Sequence, residues 1–138
     1  MASELKVDKF TGVTTAGSIL VTGEGNSTTT NLQQGLCKAW INFDGSASGA
    51  AARGSFNLAS MTDTSTGVYV CNLTNAFANT NDCAATSSAS ASTSGSDNRN
   101  ISTTITSTSA IDSRTSNAAS GAVLDAVVNN VSAHGDLA

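Results

Sequence analysis

The chain has 138 residues, of which 12% are charged and 4% aromatic, with no proline and a net charge of −4. That is roughly half the usual share of charge; it excludes a coiled coil, and the acidic balance speaks against a nucleic-acid binder. No apolar run approaches the roughly 18 residues of a membrane span, and a disordered tail would carry more charge or proline.

Residues 1–35 read as an extended, glycine-punctuated arm. Leu5, Val7, Val13, Ile19 and Val21 are scattered among Thr, Gly and Ser. They are too sparse to bury one another, so they are expected to attach the chain to a particle or to oligomerise it. Within the arm, 18–22 is expected as a short strand between Gly17 and Gly23. The stretch 28–34 is polar and without period.

Residues 36–138 read as one β-domain. Over 36–43, alternation places Cys37, Ala39, Ile41 and Phe43 on one face and Lys38, Trp40 and Asn42 on the other. Asp44-Gly45 then ends the strand as a turn signal. A second strand is expected over 52–59, a turn or short connection over 61–67, and a third strand over 68–73. In the third, Tyr69, Cys71 and Leu73 share a face. Asn79 to Asp82 is a polar break before a weak strand from Cys83. The stretch 87–98 reads either as a flexible loop or as a polar edge strand. Ile101, Thr103 and Ile105 mark a strand over 100–109, and 112–121 is polar again. The stretch 123–134 fits a helical stripe or a strand; its valines and asparagines, with Gly135 as terminator, favour strand. Short strands between regular turn signals point to an all-β fold, a small antiparallel β-sandwich carrying an extended N-terminal arm.

The core is the physical difficulty. A domain of this length should bury about two-thirds of the surface its unfolded chain exposes. About twenty of the apolar residues are alanine, and the large side chains reduce to Trp40, Tyr69, four Phe and a modest aliphatic set. Partner chains are expected to supply the missing burial; a monomer with a loose polar periphery is the alternative.

Signals for chemistry are sparse. Cys37, Cys71 and Cys83 have no Cys-x-x-Cys spacing, and His134 is the sole histidine, so no metal site is expected. The cysteines read as reduced, mostly buried small residues in strands. The start of the chain has no apolar leader segment, so folding in a reducing cytoplasm is expected. His134 has no nucleophile elbow near it. The aspartates are dispersed over turn positions, where they bond locally, and show no acid pair for glycoside cleavage. No phosphate loop or dinucleotide fingerprint is present. Neither a catalytic residue nor a cofactor is expected. Trp40 admits two readings: stacking on a sugar ring, or packing a subunit interface or second core layer. Tyr69 is grouped with it as a glycan or subunit contact. Arg53 is expected to pair with Asp63 or Asp44.

The run Lys38-Ala39-Trp40-Ile41-Asn42-Phe43-Asp44-Gly45 resembles the Lys-Ala-Trp-Val-Asn-Phe-x-Gly opening of a small domain in phage virion proteins, including tail-fibre-like ones. The similarity continues through Arg53, Ser55 to Leu58, Ser60 to Asp63, Gly67 to Val70, Asn72-Leu73 and Ala76-Phe77. It departs at Phe56, where that family usually has Tyr, at Leu58, often Val, and at His134, where a bulkier apolar residue is usual. The segment from Glu4 to Asp8, with Gly12 to Thr14, is similar to the beginnings of phage fibre and appendage proteins. The resemblance implies a non-enzymatic virion component, assembled in the host cytoplasm, built as a β-domain and trimeric. It implies partners among other phage structural proteins, in tail or capsid; host-surface glycan is a further expected contact, on the reading of Trp40 as a stacking residue. It carries over no active site, and neither nucleic acid nor membrane insertion is expected. A capsid decoration protein and a glycan-binding adsorption module are the alternatives.

Overall fold

The computed structural model describes residues 4–12, 19–23, 25, 27–92 and 99–138. The chain divides into two units, Met1–Gly35 and Leu36–Ala138.

In the first unit, β1 (Leu20–Thr22) pairs antiparallel with β2 (Thr29–Asn31). The Gly23 N–H donates to the Thr28 carbonyl at 2.9 Å and closes this hairpin. The polar stretch without period is therefore a strand followed by a helical turn, α1 (Leu32–Gly35). Asn31 ends the strand and starts the turn: its Oδ1 accepts from the N–H groups of Gln33 and Gln34 at 2.8 and 3.3 Å, the arrangement of a helix N-cap.

The second unit is an antiparallel β-sandwich. Its strands are β3 (Cys37–Asp44), β4 (Ala51–Phe56), β5 (Leu58–Ser65), β6 (Val68–Leu73), β7 (Cys83–Ser90), β8 (Arg99–Ser107), β9 (Ala110–Asn117) and β10 (Val128–Gly135). One sheet has the order β4-β3-β10-β7 and the other β5-β6-β9-β8. Alternation explains the shared core. Ala39, Ile41 and Phe43 of β3 and Val131 and Ala133 of β10 face Tyr69, Cys71 and Leu73 of β6 and Ile111 of β9. Phe43 and Tyr69 meet edge to face, with ring centroids 5.1 Å apart and planes at 70°, a favoured aromatic geometry.

Five sequence expectations need correction. The strand expected over 52–59 is two strands in different sheets. Asn57 separates them, with φ 63°, and alternation counting runs straight through such a residue. Its side chain fixes the corner: Nδ2 donates to the Lys38 and Asn75 carbonyls, both at 3.0 Å, and Oδ1 accepts from the Asn75 N–H at 2.7 Å. The stretch 61–67 belongs mostly to β5, whose small polar side chains hide its strand character. The stretch 112–121 contains most of β9. Two of its three buried inward positions, Ser113 and Thr115, are hydroxyl residues, invisible to apolar pattern counting. In 123–134 only the part from Val128 is strand. Lys38, expected on the outward face, is buried as well.

The stretch with two readings, 87–98, is strand as far as Ser90; 93–98 lies outside the described residues. Edge strands β7 and β8 belong to different sheets, and the Thr103 hydroxyl donates to the Ser87 hydroxyl at 2.6 Å. That bond ties the sheets together on the side opposite the Asn57 corner.

Candidate functional site

Two groups of side chains stand out, one inside the sandwich and one on its surface. The inner group centres on Tyr69. Its hydroxyl donates to Asp125 Oδ1 at 2.8 Å and lies 3.2 Å from the Gly45 carbonyl. The same Asp125 oxygen accepts the Gly67 N–H at 2.6 Å. Gly45 must be glycine. A Cβ there would collide with the Tyr69 hydroxyl and sit 2.6 Å from its Cζ, while the Gly45 N–H donates to the Ala126 carbonyl at 2.9 Å. Burial, then the Asp125 carboxylate, pushes the Tyr69 hydroxyl well above its ordinary 10.0, so it stays a neutral donor. This is a structural latch between the first turn of the domain and the loop before β10. Tyr69, grouped with Trp40 as a glycan or subunit contact, is wholly buried and offers no surface to a ligand; the face that alternation gave it with Cys71 and Leu73 is the core face. Asp125 looked like one turn aspartate among several, and no local sequence signal distinguishes it.

Around the same end of the sandwich, Arg53 pairs with Asp44 at 2.6 Å, not with Asp63, and donates to the Val127 carbonyl at 2.7 Å. The Ser46 hydroxyl, its amide and Arg53 hold the Asp44 carboxyl below the usual range, against a smaller opposing effect of burial. All three cysteines are free, at strand positions as expected, but only Cys71 is fully buried. Among the described residues, no group of three or more His, Cys, Asp or Glu could hold a metal ion.

The surface group lies on the outward face of the β4-β3-β10-β7 sheet. Cross-strand pairing puts Phe56, Trp40, Ser132 and Thr86 in one row and Gly54, Asn42, Asn130 and Ser88 in the next. Trp40 is 45% and Phe56 52% exposed. Trp40 is therefore no part of a second core layer. Its benzo ring rests over Gly54, where a Cβ would lie 3.5 Å from Cζ3. The polar side chains beyond it are ordered by one another. Asn42 Nδ2 donates to Asn130 Oδ1 at 2.6 Å, and Asn130 Nδ2 donates to the Ser88 hydroxyl at 3.2 Å. The Thr86 and Ser132 hydroxyls are 2.8 Å apart. Together they line an open groove of about 350 Å³ with no charged side chain among the described residues of its wall. Sequence reasoning singled out Trp40. The amide ladder escaped it, because Asn42, Ser88 and Asn130 come from three separate strands.

The residues proposed for attachment fall in the first unit. Leu5, Val7 and Val21 are exposed, as are Phe10 and Leu20; Ile19 is half-buried, and Val13 lies outside the described residues. No family model, no curated protein and no solved structure matches the chain.

Proposed function

We propose that the chain is a non-enzymatic structural protein of a phage particle, of the tail-fibre or appendage type. Residues 1–35 form the attachment and oligomerisation segment, and 36–138 form a β-domain displayed for contact with the host surface. One observation carries this reading. The first unit leaves Leu5, Val7, Phe10, Leu20 and Val21 exposed, and none of its described residues is buried. Such a density of uncovered apolar side chains in a short segment marks a surface that other chains cover. The similarity of 38–73 to a virion-protein domain supplies the class of particle. The partners are two further copies of this chain and other structural proteins of the virion.

Light scattering on the recombinant full chain tests the assembly. A trimer of about 41 kDa, three times the 13.7 kDa chain, is expected, and a monomer at all concentrations argues against it. Mass spectrometry of gradient-purified particles tests the location, and absence of the protein from them overturns the reading. Copy number separates the alternatives: a fibre contributes on the order of tens of copies and a capsid decoration protein hundreds, as closed symmetry dictates.

A further inference from the structure

We infer that the outward face of the β4-β3-β10-β7 sheet is a binding groove for a neutral glycan chain. Trp40 is the stacking platform, and the Asn42–Asn130–Ser88 ladder reads the sugar hydroxyls. The inference deepens the reading of 36–138 as a displayed domain, since it names what that domain contacts.

The chemistry of the wall selects the ligand. A sugar ring presents an apolar C–H face and an equatorial fringe of hydroxyls that both donate and accept. The groove offers the matching pair of surfaces side by side. The exposed indole supplies a flat apolar platform with high contact area and little conformational freedom to lose. Next to it, each amide of the ladder has one N–H engaged by its neighbour, at 2.6 and 3.2 Å, and an amide nitrogen carries two. A second N–H on each Asn and the Asn42 Oδ1 remain for a ligand, held in fixed orientation by the first bond. The Ser88 and Ser132 hydroxyls add groups that can act in either direction. Adjacent strands stand about 4.8 Å apart and successive outward residues about 7 Å apart, so these groups repeat across the sheet as an extended polymer would need. Binding sites of this kind combine an apolar surface with a few placed polar groups.

Charge decides against polyanions. No charged side chain lines the groove among the described residues, and the chain carries a net charge of −4. An acidic polysaccharide would meet repulsion and no cation. The wall also argues against a second copy of the same face. Its aromatic residue, Trp40, stands beside amide and hydroxyl groups of Asn42, Asn130, Ser88 and Ser132, which a dry subunit interface would leave poorly paired.

The test uses the full recombinant chain. Trp40 is its sole tryptophan, so emission excited to the red of tyrosine absorption reports on the groove alone. Titration with a panel of neutral polymers (glucan, mannan, galactan and N-acetylglucosamine oligomers) should give a saturable blue shift with at least one of them and none with alginate or heparin. Calorimetry with that polymer should show at least a tenfold loss of affinity in Trp40→Ala and a clear loss in Asn42→Ala. Thermal melts check that both variants fold; Asn130→Ala, which removes the middle of the ladder at an exposed position, serves if either does not. No response from the whole panel overturns the inference, and so does tighter binding of a polyanion. Emission that blue-shifts with protein concentration alone also overturns it, because the face would then be an interface between copies. None of these results depends on the particle. Absence from virions with glycan binding intact defeats the virion reading only, and the reverse result defeats the groove only.

Discussion

The two sheets of the sandwich close on one core but turn different surfaces outward. Each contributes inward residues of similar kind to the cluster around Phe43 and Tyr69. Outward, the β4-β3-β10-β7 sheet shows Trp40, Phe56 and an uncharged amide ladder. The β5-β6-β9-β8 sheet shows Asp112 beside Arg114, with Val70, Asn72 and threonines. There Asn72 Nδ2 donates to the Ser60 and Thr62 hydroxyls, both at 3.2 Å, and the Thr106 hydroxyl donates to Asp112 at 3.0 Å. That face satisfies itself locally and offers no aromatic platform. The difference teaches that both sheets share the stability, whereas the proposed recognition rests on one of them.

The sharpest challenge to shared stability is Phe43→Ala, which removes an aromatic ring wedged between both sheets. A loss of about 3–5 kcal/mol is expected, read by urea denaturation. A loss below about 1 kcal/mol would mean that the sheets are stable separately. Asn57→Ala comes next. It forces alanine into a left-handed conformation and leaves the Lys38 and Asn75 carbonyls without their donor, at a cost of about 3 kcal/mol. Asn57→Gly keeps the backbone freedom and should cost about 1 kcal/mol less. Equal losses in the two variants would show that hydrogen bonds alone hold the corner.

Tyr69→Phe deletes the latch to Asp125 and should cost about 1–2 kcal/mol. The same strand carries two groups whose titration couples to folding at high pH. Burial holds Tyr69 above its ordinary 10.0 and pushes the Cys71 thiol from 9.0 up to about 12. Both groups are neutral in the fold, and the unfolded chain releases these protons first. The stability that Cys71 contributes is therefore complete below pH 9 and is lost as pH rises from 9 to about 12; the loss of the Tyr69 contribution begins only from about 10. For Cys71 the slope is up to about 1.4 kcal/mol per pH unit. Cys71→Ala should flatten that limb in denaturation curves measured across the range; an unchanged slope would show that the thiol is not what titrates. Trp40→Ala has the smallest effect on stability, within about 1 kcal/mol, because the ring is half-exposed. A larger loss would make the platform part of the core.

Legibility from sequence followed side-chain type. β3 and β6 were readable because Ile41, Phe43, Tyr69 and Leu73 mark one face with large residues. β9 was not, because Ser113 and Thr115 occupy core positions as hydroxyls; Thr115 donates to the Leu124 carbonyl at 2.6 Å, a bond made by tertiary structure. The corner at Asn57 was hidden because the alternation on either side of it continues unbroken. Of the groove, Trp40 could be found from its phase in β3. The ladder could not, since Asn42 and Asn130 are 88 positions apart and become neighbours only through the β3–β10 register. Tyr69 shows the converse: its face was legible, but a buried latch and a surface contact look alike in one sequence.

Hydroxyl-radical footprinting of the full chain, with and without a saturating neutral glycan, tests most directly whether recognition is confined to one sheet. Trp40 and Phe56 should lose reactivity, while Val70 and Arg114 on the outward face of the other sheet stay unchanged. Protection of Val70 and Arg114 with Trp40 still fully reactive would contradict the assignment of recognition to the Trp40 face.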